Sequence, residues 1–384
     1  MPICLNTDIP WSAFICGLPG SGKDNTFARV LESCLVEDRP VNKLPNPMAG
    51  IVFHYDSYPY VCEAAKLCSG ATKVKVLVSP DKINAMTNMY EKIPGSNNVT
   101  VVPLKLLPKH LNSERMKNLM VLGEDTTTTL PTETMSQLME RIRTIANKQD
   151  KGSFDYSQFR SDVLSQYWPW SAERILLELR FQALDYFFSH AEADVFGHEP
   201  GTLTIVQLTS EWINATEVRL IFDICLEIFM ENRTSESGRP LSHVVALVEA
   251  HKLKQSTYTL SFTNNLLKPI RAECHVGTRV IINTEEPTLS SELLEHCSLA
   301  FIHRFSSPRW FAKLQEGIRA LSSTHAEEYQ DESNSDGKTK DLFGEVMGLG
   351  VREALLCGPT ALIGVKKGKP QKLAESFIRL HIRD

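Results

Sequence analysis

The sequence predicts an α/β fold in which a mainly parallel sheet is covered by helices. Short β-branched runs alternate with longer segments of helical periodicity, and the first run leads directly into a glycine-rich loop. Strands that read as continuous apolar runs are buried on both faces, which is typical of parallel sheets. The predicted strands are Ala13–Cys16, Ile51–Tyr55, Lys75–Ser79, Thr100–Leu104, Leu203–Leu208, Val244–Val248, Arg279–Asn283 and Ser298–Ile302.

A long stretch without strand signal divides this pattern into two halves. It carries amphipathic runs at Thr134–Ala146, Ser157–Gln166 and Ser171–Ser189, and Ser171 has the side chain of a helix cap. We therefore expect a helical insertion in the sheet sequence. The predicted segments are the first half of the core (1–110), the helical insertion (111–200), the second half of the core (201–323), a mobile acidic loop (324–340) and a C-terminal extension that packs on the core (341–384).

Composition excludes several classes of protein. The chain has 384 residues and a formal net charge of −5, so its overall charge does not favour nucleic acid and leaves that partner open. Its nine cysteines include no C-x-x-C pair, which predicts reduced packing residues rather than disulfides or a zinc site. No run approaches the roughly 20 apolar residues of a membrane span. We expect an intracellular protein, cytoplasmic or nuclear, with no membrane partner.

The loop after the first strand has the spacing of a phosphate-binding loop. It reads Gly-Leu-Pro-Gly-Ser-Gly-Lys over residues 17–23. Glycines in such a loop let backbone N–H groups turn toward the β-phosphate, and the Lys ammonium reaches the β- and γ-phosphates at a helix N-terminus. The motif predicts ATP as ligand. The candidate nucleotide-binding residues are Gly17, Leu18, Pro19, Gly20, Ser21, Gly22, Lys23, Asp24 and Asn25.

Asp24 stands where the motif normally has a Ser or Thr hydroxyl that ligates Mg²⁺. Two like charges about 4 Å apart at an effective dielectric of about 20 repel by about 4 kcal/mol, or roughly a thousandfold in affinity. An intervening Mg²⁺ would turn the carboxylate into a ligand and reverse that effect. Asp24 is therefore a candidate metal ligand. The alternative is an acidic residue in a first helical turn, which the helix dipole favours by about 0.3–1 kcal/mol.

Two later strands end in polar residues that fit the γ-phosphate side of a nucleotide site. In hydrolysing members of this class the strand ends in Asp followed by a Glu that polarises the attacking water. Here Val248 occupies the Asp position and Glu249 remains as the candidate catalytic residue. Thr284 and Glu285 follow another strand and are candidate γ-phosphate sensors. An ion pair with a Lys or Arg is the alternative role for Glu249.

Together with this loop, a set of further motifs resembles the HerA/FtsK-type P-loop ATPases, and more closely a group of fungal proteins of that type, over nearly the whole chain. The motifs are His54-Tyr-Asp-Ser57, Val76-Leu-Val-Ser-Pro80, Phe154-Asp-Tyr156, Glu249-Ala-His-Lys252, Glu286-Pro-Thr-Leu-Ser290 and His303-Arg-Phe-Ser-Ser-Pro308. The resemblance implies a RecA-like sheet, a water-activating Glu249, catalytic assistance from Lys23, and often a hexameric ring that pumps DNA. It also implies that Arg304 serves as an arginine finger toward a neighbouring subunit, for which a salt bridge is the alternative.

The chain departs from the family pattern at three positions, all on the metal or γ-phosphate side. The family usually has Ser where Asp24 stands, Asp where Val248 stands and Gln where Glu285 stands. These departures predict an ATP-binding protein that is a weak ATPase with a degenerate Mg²⁺ site. The alternatives are a nucleotide-binding regulator or scaffold without turnover, an active DNA-translocating motor, and a small-molecule kinase, which the later motifs oppose.

Overall fold

A ten-stranded sheet forms the centre of the protein. The structure is a computed structural model and describes residues 5–6, 9–37, 46–70, 72–120, 132–148, 155–188, 195–196, 199–209, 215–231, 241–252, 266, 277–287, 291–321, 342–359, 361–366, 369–373 and 376–383. The strand order is β12-β9-β8-β1-β7-β6-β2-β5-β3-β4. The strands are β1 Ser12–Cys16, β2 Ala49–Tyr55, β3 Lys73–Val78, β4 Val99–Pro103, β5 Thr202–Leu208, β6 His243–Val248, β7 Thr278–Thr284, β8 Leu299–Ile302, β9 Glu353–Cys357 and β12 Phe377–His381.

The strands β1 to β8 are all parallel, and they correspond to the eight predicted strands. The predicted α/β class with a mainly parallel sheet is therefore confirmed. Strands β9 and β12 were not predicted. They extend the β8 edge in antiparallel register. Strands β10 (Leu362–Lys366) and β11 (Lys369–Lys372) form a separate antiparallel pair.

Helices connect the parallel strands, and within the described residues four of them lie between β4 and β5 in the sequence. The helices are α1 Lys23–Leu35, α2 Ile83–Tyr90, α3 Ser113–Leu119, α4 Thr132–Lys148, α5 Tyr156–Leu164, α6 Ala172–Asp185, α7 Ala215–Glu231, α8 Ser291–His296, α9 Pro308–Gly317 and α10 Leu342–Met347. Helices α3 to α6 coincide with the stretch that lacks strand signal. The boundaries of the five predicted segments stay predictions, and the acidic loop 324–340 falls outside the described residues.

The hydrophobic core has one half on each face of the sheet. Successive strand side chains point to opposite faces, so Phe14 packs in the cluster that contains α7 and the insertion helices. Ile15, the next residue, packs in the cluster that contains α1. Helix α1 contributes Phe27 and Leu31, which are fully buried and four residues apart on one helix face. This packing fixes the helix directly behind the loop that precedes it.

The insertion helices pack into the core on one face of the sheet without their tryptophans. Ser171 caps α6 by accepting a hydrogen bond from the Arg174 N–H at 3.2 Å, and Phe181 on that helix is fully buried. The sequence predicts that Tyr167, Trp168 and Trp170, which precede this helix, cover the core of the insertion. That prediction is wrong for Trp168 and Trp170, which are 84% and 90% exposed.

Two further sequence predictions concern disulfides and membrane-spanning helices. The seven cysteines that the structure describes form no disulfide. No helix within the described residues combines the length and the apolar character that crossing a membrane requires.

Candidate functional site

The glycine-rich loop turns between the end of β1 and the start of α1, with two residues in the left-handed region. Gly20 has φ 75° and Gly22, which caps α1, has φ 100°. Glycine adopts such angles without the steric cost that a Cβ brings. Gly17 is needed for space instead, because a Cβ there would stand 2.5 Å from the Cβ of His303. The loop glycines are therefore required by the observed backbone.

Neighbouring segments hold the loop by its backbone. The Leu18 N–H donates to the Arg304 carbonyl at 3.1 Å, and the Arg352 N–H donates to the Ser21 carbonyl at 2.9 Å. Arg352 itself has φ 65°. The helix behind the loop is tied through Thr26, whose hydroxyl lies 2.9 Å from Nε2 of His303. The first N–H groups of α1 have no partner within the helix and lie at its positive end, which suits an anion.

Lys23 is buried and held by two carboxylates. Its Nζ lies 2.8 Å from Asp24 Oδ1 and 3.1 Å from Glu249 Oε1, and the side chain is 2% exposed. Burial alone would lower the pKa of Lys23, but the two carboxylates outweigh it and the pKa is raised above its usual value. The ammonium is therefore charged, and carboxylates occupy the positions around it.

Asp24 is an ion-pair partner in this structure. Besides Lys23, its Oδ1 accepts a hydrogen bond from Nδ2 of Asn283 at 2.9 Å. Asn283 is fully buried at the end of β7, and its Oδ1 has no hydrogen-bond partner among the described atoms. Asp24 thus joins the loop to the strand that carries the predicted sensors. Its role as a metal ligand stays a prediction.

Glu249 has a left-handed backbone conformation, which is uncommon for a residue with a side chain. It follows β6 directly, is 6% exposed and has φ 56°. A non-glycine residue in this region costs about 1–3 kcal/mol and persists where surrounding contacts hold it, often at active sites. Here those contacts are ion pairs to Lys23 and, at 3.6 Å from Oε2, to Nζ of Lys252. The strained backbone directs a carboxylate at the phosphate-loop lysine.

The predicted sensors lie on the same side of the loop. The Thr284 hydroxyl is buried, donates to the Glu286 carbonyl at 2.9 Å and lies 3.3 Å from Nδ1 of His251. Burial first, and then the charge of Glu249, raises the pKa of Glu285. Ligand atoms of Glu249, His251 and Glu285 lie within 4.8 Å of one another. The carboxylate oxygens of Glu249 and Glu285 are donors that suit Mg²⁺, whereas His251 offers a ring nitrogen.

The remaining predicted residues lie at the rim of the site. Pro19 and Gly20 are exposed, whereas Leu18 packs partly against the core. The Asn25 amide donates to the Arg383 carbonyl at 2.9 Å, so this side chain supports the C-terminal strand. The Arg304 side chain is exposed. An exposed arginine here is compatible with a contact in trans, and that contact stays a prediction.

A cavity of about 230 Å³ beside the loop is lined by four of the predicted site residues, Lys23, Asp24, Glu249 and Glu285. Other residues, which the sequence did not single out as site residues, also line this cavity. These are His54, Asp56, Tyr60, Cys62, Glu63 and Lys252. The sequence did contain a signal for His54 and Asp56. They stand at the carboxyl end of a buried strand, where parallel sheets place ligands. A larger cavity of about 550 Å³ lies among α5 and α6 and contains none of the predicted residues.

Two buried histidines near the loop predict a loss of stability in acid. Burial lowers the pKa of both His54 and His303 from 6.5 to about 4. Between pH 6.5 and 4 the unfolded chain therefore binds protons that the folded chain does not, so the free energy of unfolding falls as the pH falls. Each histidine contributes at most about 3 kcal/mol to this fall in the free energy of unfolding. Urea unfolding at pH 7 and pH 5 measures the difference.

His303→Gln should make that difference smaller by removing one of the two contributions. His296→Gln, at an exposed position of α8, serves as the matched control and should keep the original pH dependence. An unchanged pH dependence in His303→Gln would contradict the assignment.

Comparison with known proteins identifies the fold. No protein-family model matches the chain, and no curated protein sequence matches it. The solved structure of VirB4 from Thermoanaerobacter pseudethanolicus aligns with a TM-score of 0.50 and 12% identity, covering 98% of this chain and 89% of VirB4. The bacterial conjugative coupling protein TrwB, in an unbound form, aligns at a TM-score of 0.43 and 12% identity, covering 97% of this chain and 85% of TrwB.

The VirB4 alignment shows that the chain shares the fold of VirB4, in agreement with the predicted α/β class. At 12% identity the likeness concerns the fold, and the chemistry depends on the residues described above. The narrower resemblance to fungal proteins has no support in these comparisons.

Proposed function

We propose that the protein binds ATP at residues 17–24, with Lys23 and the N-terminus of α1 holding the phosphates. The observation that carries this proposal is the intact glycine cradle with a buried, charged lysine at its end, on a P-loop NTPase fold. The cavity wall also carries the carboxylates of Asp24, Asp56, Glu63, Glu249 and Glu285, so phosphates there need a cation to offset this negative charge. The carboxylates that now contact Lys23 would give way to phosphate oxygens, which offer the ammonium equivalent partners.

The residues present also fit Mg²⁺. Asp24, Glu249 and Glu285 supply carboxylate oxygens, and the buried Asn283 Oδ1 lacks a partner among the described atoms. Hard divalent cations prefer such oxygen ligands. When bound, Mg²⁺ would neutralise charge between the phosphates and the protein. This chain's contribution is to hold those oxygens on one side of the loop.

ATP affinity is expected to rise steeply with Mg²⁺, and Asp24→Ser should reduce that dependence. When Lys23 turns to the phosphates, Asp24 loses its 2.8 Å partner and its charge repels the ligand unless a cation intervenes. The repulsion corresponds to as much as about a thousandfold in affinity. Calorimetric titration of ATP with Mg²⁺ and with chelator, for the natural chain and for the variant, measures both effects. Equal ATP affinity of the natural chain in the two conditions would show this prediction to be wrong, and no heat with either would refute ATP binding.

A second candidate function is slow ATP hydrolysis, which the position of Glu249 favours. Its carboxylate lies 3.1 Å from the phosphate-loop lysine, on the side where a terminal phosphate and an attacking water would stand. Oligomerisation could then supply Arg304 in trans, and DNA would be the partner of a translocating motor. Phosphate release with and without DNA separates the two candidates. Turnover that DNA stimulates favours the motor, and tight binding without phosphate release favours a nucleotide-dependent switch.

A further inference from the structure

The cavity beside the phosphate loop has two ammonium groups in its wall. One belongs to Lys23 and the other to Lys252, which is in the short 3₁₀ turn Ala250–Lys252 just after β6. The cavity of about 230 Å³ is smaller than the roughly 300–1,000 Å³ of a typical ligand pocket. Its size suits one phosphoryl group rather than a whole nucleotide, and the two ammonium groups are the cations of a wall that also carries five carboxylates.

The two ammonium groups share one carboxylate. Oε1 of Glu249 lies 3.1 Å from Nζ of Lys23, and Oε2 lies 3.6 Å from Nζ of Lys252. An anion that replaces this carboxylate is therefore within reach of both lysines. A phosphoryl group carries three peripheral oxygens and more charge than a carboxylate, so it can satisfy both at once.

Fixed neighbours position Lys252. Its ammonium is hydrogen-bonded to Oδ2 of Asp56, and Oδ1 of Asp56 accepts the Tyr58 N–H at 3.1 Å. The ammonium also lies 5.7 Å from the ring centroid of Tyr60, and the Tyr60 hydroxyl is hydrogen-bonded to His54 at 2.5 Å. Lys252 is thus held at the cavity wall, with Asp56 as its counter-ion.

We infer that Lys252 is a second phosphate-binding residue, which contacts the terminal phosphate of a nucleoside triphosphate and so distinguishes triphosphate from diphosphate. This inference rests on the proposed ATP binding. Lys23 belongs to the loop that holds the β-phosphate as well, so it serves both nucleotides. Lys252 approaches from β6, on the far side of Glu249, where the additional phosphate of the triphosphate would lie.

The test compares a non-hydrolysable ATP analogue with ADP, each with Mg²⁺, by calorimetry. Lys252→Gln should weaken binding of the ATP analogue about tenfold to a hundredfold, the usual value of a hydrogen bond to a charged group. ADP affinity should change less than twofold. Lys252→Arg, which keeps the charge, should retain part of the selectivity.

Asp56→Asn is expected to change the selectivity for triphosphate in the opposite direction. It removes the counter-ion that competes for Lys252, so the affinity ratio of ATP analogue to ADP should rise, a result that misfolding cannot produce. Lys313→Gln is the matched control, because Lys313 pairs with Glu316 at 2.6 Å on α9 and lies outside the cavity. It should leave both affinities unchanged.

An equal loss for ATP analogue and ADP in Lys252→Gln, or no loss for either, would overturn the inference while leaving ATP binding intact. If the natural chain binds neither nucleotide, the proposed function fails and the inference fails with it. The two failures are therefore distinguishable in one set of titrations.

Discussion

Lys23→Met is expected to lower ATP affinity at least a hundredfold, which corresponds to about 3 kcal/mol. The change removes the ammonium that reaches the β- and γ-phosphates and leaves the carboxylates of Asp24 and Glu249 without their shared partner. Calorimetric titration with ATP and Mg²⁺ measures the loss. Lys313→Met, at a surface ion pair of α9, is the control and should bind ATP as the natural chain does.

The same substitution should also destabilise the protein in the absence of nucleotide. Removing one partner of a buried ion pair costs about 3–5 kcal/mol where the remaining charge is left uncompensated, and the loss here should be smaller because Glu249 keeps Lys252 at 3.6 Å. Glu249 carries most of this cost, since its side chain is 8% exposed whereas that of Asp24 is 36% exposed. Urea unfolding of Lys23→Met, Glu249→Gln and the double variant isolates the coupling.

The double variant should recover much of the stability that Lys23→Met loses, while ATP binding stays weak. That combination distinguishes the ion pair from the phosphate contact. Lys23→Met that binds ATP within twofold of the natural chain would exclude the phosphate loop as the nucleotide site.

Gly22→Ala is expected to cost about 3 kcal/mol or more in the free energy of unfolding and to abolish ATP binding. The new Cβ would stand 2.7 Å from the backbone N and 2.8 Å from the Cα of Arg352. Both are backbone atoms of the segment that hydrogen-bonds the loop at Ser21, so neither moves without displacing the loop. The left-handed φ of 100° adds its own cost for a residue with a side chain.

Gly20→Ala is the matched control within the same loop. Gly20 also has a left-handed φ, of 75°, but a Cβ there meets no heavy atom within 4 Å among the described residues. Gly20→Ala should therefore lower the free energy of unfolding only through its left-handed backbone, by about 1–2 kcal/mol. Urea unfolding and ATP titration of both variants measure the difference. Equal destabilisation by the two substitutions would show that the Arg352 contact does not constrain the loop.

Much of the fold could be predicted because its signals are local. β-branched runs mark the parallel strands, and glycine spacing marks the loop, since each reports a backbone preference of its own segment. Strands β9 and β12 were missed for a physical reason. Strand β12, at the edge of the sheet, has only partly buried or exposed side chains, and β9, although its Ala354–Cys357 is apolar, takes its place through antiparallel pairing with β8 and β12.

The exposure of Trp168 and Trp170 likewise depended on tertiary structure. Bulky aromatic side chains usually contribute to a core, and nothing in the local sequence distinguishes these two exposed side chains from buried ones. The contacts of Lys252 in the site also depended on tertiary structure. Lys252 was noted as part of a motif, but its partners Asp56 and Glu249 come from the ends of two neighbouring strands, β2 and β6.

The sequence by itself determined the phosphate loop, the parallel sheet and the substitution of the usual metal-side residues, because each depends on residues close together in the chain. Tertiary structure decided what those residues contact. Lys23 and Glu249 are 226 positions apart, and they meet because parallel packing of β1, β7 and β6 brings the carboxyl ends of these strands to one edge of the sheet. The ion pair between them is buried there, where its electrostatic attraction is stronger than in water, and Glu249 has a left-handed backbone at this position.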